Sequence, residues 1–160
     1  MNGETAVTTD ESAVIASLYP ALHRFAAAVG PAEVDPDDLV QEAFVRTLRS
    51  GPLDRYDDPG AYLRRAIVNL AANQRRGFGR GRRAVARLAP APDPAPAYPS
   101  DLSDLLRLAP DDRAVLYLVH VEGLPYSEAA QVLGCSEEAA RSRASRARRR
   151  LRADLAGEDR

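Results

Sequence analysis

Hydrophobic residues recur along most of the chain at spacings of three and four, the period of an α-helix that packs on one side. No segment alternates convincingly between apolar and polar residues at every second position, as a half-buried strand would. The sequence therefore predicts an all-α protein, with helices over 18–30, 35–49, 60–77, 101–110, 110–124, 125–136 and 136–152.

Capping and helix-breaking residues bound these helices. Asp35 is the predicted N-cap of the second helix, with Pro36 in the first helical position. Ser127 and Ser136 are the predicted N-caps of the last two helices. Pro20 predicts that the first helix starts or kinks there.

The same spacing predicts which side of each helix is buried. In the last helix this side consists mainly of alanine, which allows close helix approach but buries little area. The predicted core is Leu22, Phe25, Ala26, Val29, Leu39, Val40, Ala43, Phe44, Leu48, Leu63, Ala66, Ile67, Leu70, Val115, Leu116, Leu118, Val119, Ala140, Ala144, Ala147 and Leu151.

A proline-rich segment divides the chain. Residues 89–100 contain five prolines in twelve residues and predict an extended linker, about 37 Å long at about 3.1 Å per residue. We expect a disordered N-terminus at 1–12 and two small helical domains, 13–88 and 101–155, the second containing a helix-turn-helix. The linker permits the two domains to fold against each other without requiring it.

Charge is segregated along the sequence. The formal net charge is −1, yet residues 1–58 carry −7, residues 59–87 carry +8, residues 88–140 carry −7 and residues 141–152 carry +7. This pattern suits a protein that offers one surface to a polyanion and another to a basic partner.

Several classes of function are disfavoured. Cys135 is the single cysteine, which excludes a disulfide framework and a cysteine-rich zinc site. His23 and His120 have no second ligand at i+4, and no catalytic motif can be assembled. There is neither a signal-peptide core nor a run of about eighteen apolar residues. We expect no enzyme, metal, cofactor or membrane partner, and a cytoplasmic location.

Residues 126–152 have the layout of a helix-turn-helix, whose second helix enters the major groove of DNA. From Arg141 to Arg152 there are seven arginines and no acid. A solvated helical face rich in charge is the alternative interpretation. The side chains predicted to face DNA are Arg141, Ser142, Ser145, Arg146 and Arg149.

The third helix carries a second candidate surface, on a different side from its apolar residues. Strand separation in DNA needs side chains on which unpaired bases stack and a cationic track for the backbone. An ordinary solvated face is the alternative. The residues at spacings i, i+3, i+7, i+11 and i+14 are Tyr62, Arg65, Asn69, Asn73 and Arg76.

Three segments together resemble a known family. DPDDLVQEAFVRTLR (35–49), DPGAYLRRAIVNLAANQRR (58–76) and LPYSEAAQVLGCSEEAARSRASRARRRLR (124–152) occur in this order around the proline-rich linker. They resemble the bacterial RNA polymerase sigma factors of the ECF (group 4) kind. The resemblance extends from about Leu18 to Leu151.

The resemblance implies a non-enzymatic factor that binds core RNA polymerase, recognises the −10 and −35 elements of promoter DNA and promotes transcription initiation. In the family the second helix docks on the clamp helices of the beta prime subunit, the beta flap is a further polymerase contact, and an anti-sigma factor is a further partner. Polymerase binding would fall on Asp38, Gln41 and Glu42. Contacts to −10 DNA would fall on Arg55 and Tyr56 in the loop 53–58, followed by Tyr62, Arg65, Asn69, Asn73 and Arg76. Contacts to −35 DNA would fall on Arg141, Ser142, Ser145, Arg146 and Arg149.

The sequence departs from the family pattern at several positions. Tyr62 stands where tryptophan is frequent, and Asn73 stands where aspartate is common. Ala139 and Ala140 replace the usual Thr-Val of the recognition helix, and Ala144 replaces a larger apolar residue.

Two other functions are alternatives to this interpretation. A stand-alone helix-turn-helix regulator explains residues 110–152 but leaves the 35–49 helix and the stripe from Tyr62 to Arg76 without a task. A small enzyme or RNA-processing protein would need a catalytic group, and His23 and His120 are poor candidates.

Overall fold

The computed structural model describes residues 9–86 and 105–157, which form helices joined by turns and short loops. The helices are α1 (Thr9–Val29), α2 (Pro36–Ser50), α3 (Pro59–Ala86), α4 (Pro110–His120), α5 (Tyr126–Leu133) and α6 (Glu137–Gly157), with a 3-10 turn at Leu53–Arg55. The all-α prediction is confirmed. The predicted linker 89–100, residues 1–8 and the start of the predicted 101–110 helix lie outside the described residues.

Helix α1 is longer than predicted. It begins at Thr9, so residues 9–12 belong to a helix and not to a disordered N-terminus, and Pro20 lies inside it. Pro20 is exposed, so the carbonyl that loses its hydrogen bond there faces solvent. By length and composition alone α1 could cross a membrane, a test that core helices also pass. Its C-terminal half is packed in the core through side chains that include Leu22 and Phe25.

Helix α2 begins as predicted. Asp35 has extended backbone angles, and its carboxylate accepts a hydrogen bond of 2.9 Å from the N–H of Asp37. Pro36 occupies the first turn. Thr47 is buried beside the predicted apolar residues because its hydroxyl donates to the carbonyl of Ala43 at 2.7 Å, which satisfies the polar group inside the core.

Helix α3 continues well beyond the predicted end at residue 77. The carboxylate of Asp58 caps its start by accepting a hydrogen bond from the N–H of Ala61 at 2.9 Å. Gly77, Gly79 and Gly81 lie within the helix, and no described atom lies within 4 Å of the position that a Cβ would take at any of them. Each glycine costs about 1 kcal/mol of helix stability relative to alanine. Neither packing nor a positive φ requires these glycines.

The C-terminal helices form the predicted helix-turn-helix, with one correction. Helix α5 begins at Tyr126, after Pro125, and Ser127 is not its cap. Pro125 has the extended conformation of an N-cap residue, and its carbonyl accepts hydrogen bonds from the N–H groups of Glu128 and Ala129 at 3.1 Å. Since Pro125 starts the helix, Ser127 falls inside the first turn.

The two domains pack against each other and share one core. Phe25 of α1 meets the ring of Tyr117 of α4 edge-on, with 5.7 Å between ring centroids. Leu118 of α4 and Val132 of α5 are buried in the same cluster as Leu22. Most of the predicted core is buried or half-buried in this cluster and a smaller one around Val115, Ala140 and Ala144.

Two arginines make polar contacts across the domain boundary. Arg113 of α4 is 4% exposed and donates from Nη2 to the carbonyl of Val29 at 2.6 Å. Desolvation, and then the charge of Arg75, lowers the pKa of Arg113 to about 10. Its Nε and Nη1 have no hydrogen-bond partner among the described residues. Arg64 of α3 pairs with Glu122 at 3.1 Å, with both side chains largely buried. The boundary therefore combines apolar burial with an incompletely compensated positive charge.

Reversing one charge of the Arg64–Glu122 pair should loosen the docking of the two domains. In Arg64→Glu two carboxylates face each other in a largely buried position, which we expect to cost about 1–3 kcal/mol. Small-angle scattering of the full chain should then show a larger radius of gyration. The double variant Arg64→Glu with Glu122→Arg should restore the compact value.

Glu128→Arg is the control for this experiment, because Glu128 is exposed on α5 and takes part in none of the ion pairs among the described residues. An equal expansion in the control, or none in Arg64→Glu, would contradict a role for the ion pair in docking.

Candidate nucleic-acid interface

The turn before α6 is closed by backbone geometry that suits its sequence. Gly134 has φ 64° and ψ 39°, the left-handed conformation that glycine adopts without strain. Its N–H donates to the carbonyl of Gln131 at 3.2 Å, and the N–H of Cys135 donates to the carbonyl of Ala130 at 3.0 Å. The hydroxyl of Ser136 then accepts from the N–H of Ala139 at 3.1 Å, as an N-cap should. These bonds hold α6 at a defined angle to α5.

The inner side of α6 is the predicted seam of alanines. Ala140, Ala144 and Ala147 are at most 2% exposed, and the first two pack with Val115 of α4 and Ala130 of α5. Small side chains bring the helices close together, and the opposite side of α6 faces solvent. On that side Arg141, Ser142, Arg146 and Arg149 are exposed and Ser145 is half-buried.

Two of these arginines are held along the helix surface. Arg141 donates to Glu137 through Nε at 3.1 Å and Nη2 at 2.5 Å, and its guanidinium lies 4.7 Å from the ring centroid of Tyr126. Arg146 donates to the hydroxyl of Ser142 at 2.6 Å. Both guanidiniums retain free donors for a ligand. The sequence alone did not identify Tyr126 as part of this surface, although its position shortly before the turn is evident from the sequence.

One arginine of the basic run is not on the outer face. Arg143 is only partly exposed, and its Nη1 pairs with the carboxylate of Asp111 in α4 at 2.8 Å. The pair ties α6 to α4 on the flank of the alanine seam, so Arg143 has a structural role.

The predicted stripe on α3 is exposed as a continuous ridge. Tyr62 is 42% exposed, and the other four side chains are also on the surface. Asn73 accepts a hydrogen bond from Arg76, which keeps these two side chains side by side. Five helical turns separate Tyr62 from Arg80, so Arg80 continues the ridge. Its helical register was available in the sequence, yet Arg80 was missed because the helix was expected to end at residue 77.

An aromatic stack marks the N-terminal end of the ridge. The rings of Tyr56 and Tyr62 lie 4.1 Å apart between centroids, at 30° to each other, and the guanidinium of Arg55 is 5.5 Å from the centroid of Tyr56. Desolvation in the stack, and then the hydrogen bond to Tyr62, raises the pKa of Tyr56. The structure brings together Arg55, Tyr56 and Tyr62 from two separate segments.

The loop that carries Arg55 and Tyr56 is anchored at its start. Leu53 is 2% exposed, and its N–H donates to the carboxylate of Glu11 in α1 at 3.0 Å. Arg55 also donates to the carbonyl of Ser50. The loop therefore presents the side chains of Arg55 and Tyr56 from a fixed base.

The docked C-terminal domain touches the ridge at one point. A Cβ on Gly134 would overlap the guanidinium of Arg65, so the turn of the helix-turn-helix packs directly on that side chain. Asn69, Asn73 and Arg76 remain exposed. The docked domain therefore contacts the ridge at Arg65, while the ridge side chains and the arginine face of α6 stay exposed.

The acidic residues predicted to contact a protein partner lie on the outer face of α2. Asp38 and Gln41 are exposed, and Glu42 pairs with Arg46 at 2.6 Å on the same helix. Val45, 41% exposed, adds an apolar contact area beside them. Asp37 lies apart from this group because it accepts a hydrogen bond from the hydroxyl of Tyr19 at 2.6 Å.

No cluster of three or more potential metal ligands occurs within residues 9–86 and 105–157. The electrostatic features of the described surface are the acidic face of α2 and the two arginine-bearing faces. Such an arrangement can bind a polyanion at two places and a basic protein surface at a third.

Comparison with family models matches both halves of the chain. Residues 14–81 match the model of sigma-70 region 2, and residues 105–151 match the model of sigma-70 region 4.

Curated relatives agree with these matches. The chain is 36% identical to RNA polymerase sigma factor CarQ of Myxococcus xanthus, with 76% of this chain and 75% of that protein covered. It is 35% identical to the RNA polymerase sigma-E factor of Streptomyces coelicolor, with 87% and 82% covered. It is 34% identical to ECF RNA polymerase sigma factor SigE of Mycolicibacterium smegmatis, with 84% of this chain but 57% of that longer protein covered.

Two solved structures with a similar fold are complexes with a partner protein. The sigma factor RpoE in complex with the anti-sigma factor NepR from Bartonella quintana superposes with a TM-score of 0.70 at 26% identity, covering 92% of this chain and 98% of that one. CnrH in complex with the cytosolic domain of CnrY superposes with a TM-score of 0.59 at 32% identity, covering 92% and 88%.

Removing the cap of α6 should weaken the helix-turn-helix. Ser136→Ala leaves the N–H of Ala139 without its acceptor, so the free energy of unfolding should fall by about 1 kcal/mol. Ser136→Asp should retain most of the stability, because aspartate caps equally well. Urea denaturation followed by far-ultraviolet circular dichroism measures both.

Ser127→Ala is the matched control, since Ser127 is exposed and does not cap α5. We expect its free energy of unfolding to change by less than about 0.5 kcal/mol. A loss as large as that of Ser136→Ala would refute the assignment of Ser136 as the cap.

Proposed function

Because this chain belongs to the sigma-70 family, as a sigma factor of the ECF group, we propose that it binds core RNA polymerase, recognises the −10 and −35 promoter elements and helps to open the DNA at −10. The observation that carries this proposal is the presence of three separate exposed surfaces, two basic and one acidic, on one small chain. A stand-alone regulator would use only the helix-turn-helix, and the match of residues 14–81 to region 2 leaves that alternative without support.

Helix α6 is proposed to read the −35 element from the major groove. Arginine forks can bind guanine edges or clamp phosphates, and serines are short enough to let the helix backbone approach. The hydrogen bond from Arg146 to Ser142 and the stacking of Arg141 on Tyr126 orient these guanidiniums before DNA arrives. The residues assigned to this contact are Arg141, Ser142, Ser145, Arg146 and Arg149.

The ridge of α3 and its aromatic stack are proposed to bind the −10 element. An unpaired base that stacks on an aromatic ring gains about 1–3 kcal/mol, and Tyr56 and Tyr62 already stack on each other at 4.1 Å. A base that leaves the duplex could take the place of one of the two rings and stack on the other. The stacking contact would then be retained. The residues assigned to base capture and to the separated strand are Arg55, Tyr56, Tyr62, Arg65, Asn69, Asn73 and Arg76.

The acidic face of α2 is proposed to dock on the clamp helices of the beta prime subunit, through Asp38, Gln41 and Glu42. The C-terminal domain is proposed to contact the beta flap. Members of this family are transcription initiation factors, and we assign all catalysis to the polymerase and the site of action to the cytoplasm.

Promoter binding is proposed to require separation of the two domains. Elements centred near −10 and −35 are about 25 base pairs apart, roughly 85 Å along B-form DNA at about 3.4 Å per pair. A compact chain of this length has a radius of gyration of about 15 Å, so the docked arrangement cannot reach both elements. The contact of Gly134 with Arg65 also places the other domain beside the −10 ridge. The proline-rich segment 89–100, which its sequence predicts to be extended, would supply part of the needed reach.

An anti-sigma factor is a proposed further partner. RpoE and CnrH, which this chain resembles over 92% of its length, are each seen bound to a partner, NepR and CnrY respectively. A partner of this kind would favour the docked arrangement of the present chain over the separated one.

Reconstituted transcription tests the proposed function. Core RNA polymerase with this chain should start transcription at a defined subset of host promoters, and sequencing the 5′ ends of the transcripts would locate the starts. Core enzyme alone provides the background. Failure to initiate at any host promoter above that background would refute the proposal.

Two substitutions should separate promoter reading from polymerase binding. Arg146→Ala removes a base or phosphate contact, so the −35-dependent signal should fall about tenfold or more while the affinity for core polymerase is unchanged. Glu42→Arg reverses the charge on α2, so polymerase affinity should fall by a similar factor while binding of −35 DNA by the chain alone is unchanged.

Arg150→Ala is the matched control for Arg146→Ala, because it removes the same charge from an exposed position of the same helix. Loss of both activities in either single variant would show that the two surfaces are not independent.

A further inference from the structure

A cleft of about 480 Å³ lies between the C-terminal half of α3 and the first turn of α4. It exists only while the two domains are docked, because its two walls belong to different domains. Its lining is Ala72, Arg75, Arg76, Gly79, Arg80, Ala109, Pro110 and Asp111.

The charge of this cleft is strongly positive. Three arginines face it from one wall, and the single acid in the lining, Asp111, is already paired with Arg143 at 2.8 Å. None of the ion pairs among the described residues involves Arg80. Closing the cleft therefore brings several guanidiniums together with too few carboxylates.

The excess of positive charge continues across the boundary between the two domains. Arg75 reaches over to the other domain, where its Nη2 donates to the carbonyl of Arg107 at 3.3 Å. Its charge also contributes to the lowered pKa of the buried Arg113. Since like charges oppose docking at this place, an anion in the cleft would offset a repulsion that residues 9–86 and 105–157 leave uncompensated.

Phosphoryl groups fit this arrangement better than other small anions. Planar guanidiniums bind phosphate oxygens with two parallel hydrogen bonds, and three of them can serve two linked phosphoryl groups. The first turn of α4 carries Asp111 and Asp112, so the positive charge of the cleft comes from the arginines of α3 and not from the helix end. No described atom lies within 4 Å of where a Cβ would extend from Gly79, so the wall beside the arginines is open.

We propose that this cleft binds a pyrophosphate group, free or carried by a nucleotide, and that the bound anion stabilises the docked arrangement of the two domains. The regulatory consequence rests on the proposed function, because Arg76 belongs to the surface assigned to −10 DNA and promoter binding is proposed to need separated domains. An occupied cleft then withdraws Arg76 from DNA and delays opening.

Binding is tested by isothermal titration calorimetry of the full chain with inorganic pyrophosphate, compared with sodium chloride at matched ionic strength. The double variant Arg75→Ala with Arg80→Ala should bind pyrophosphate about tenfold or more weakly, as expected from the loss of charge-assisted hydrogen bonds. Arg49→Ala, which removes a charge from an exposed position of α2, should change the affinity less than about twofold. Both altered arginines are exposed, and thermal unfolding verifies that the variants are folded.

Docking is tested by small-angle scattering of the same proteins. Pyrophosphate should decrease the radius of gyration of the wild-type chain and of Arg49→Ala but not that of the double variant. Titrations with a nucleoside diphosphate and with a short single-stranded DNA identify the source of the phosphate. Tighter binding of the diphosphate than of pyrophosphate indicates a nucleotide.

Three results would overturn the proposal: no binding beyond the salt control, equal binding by the double variant, or binding of DNA without binding of pyrophosphate. None of these measurements involves polymerase or promoters, so each could fail while the proposed role in transcription stands.

Discussion

The packing of α4 and α5 onto α1 and α3 is the interaction on which the arrangement of the whole chain depends. Its apolar part, with Phe25, Leu118 and Val132 at the centre, favours contact without specifying direction. The Arg64–Glu122 pair and the hydrogen bond from Arg113 determine the relative orientation of the two domains. The same boundary carries a buried guanidinium with two unpaired nitrogens, which opposes docking. Contacts that favour docking are thus offset by a buried charge that opposes it. Such a balance suits two domains that pack together and are proposed to separate on promoter DNA.

The faces assigned to nucleic acid are exposed because short side chains form the opposite sides. Ala140 and Ala144 let α6 lie close to α4 and α5, and all of its longer side chains in this region are then left on the surface or at the flank. Alanine buries less area than the larger residues frequent in the family, so this packing gives up stability. The docked domain would be better supported by its neighbour than by its own small core.

The three glycines near the end of α3 have a related effect. Gly77, Gly79 and Gly81 cost helix stability and fill no tight space, which leaves the end of this helix less stable than its centre. Arg80, which lies between Gly79 and Gly81, then projects from a helix end that is sustained by little packing. The cleft beside Arg75 and Arg80 lies where this weakly supported segment meets α4.

The sequence by itself determined the features that depend on neighbours within one or two helical turns. These are the caps at Asp35 and Ser136, the alanine seam and the outward arginines of α6. The prediction of Ser127 as the N-cap of α5 was wrong, because Pro125 occupies that position. Only the tertiary structure decided the pairing of Arg143 with Asp111, the stack of Tyr56 on Tyr62 and the docking of the two domains. These contacts join separate segments, and helical periodicity carries no information about which distant side chains will meet.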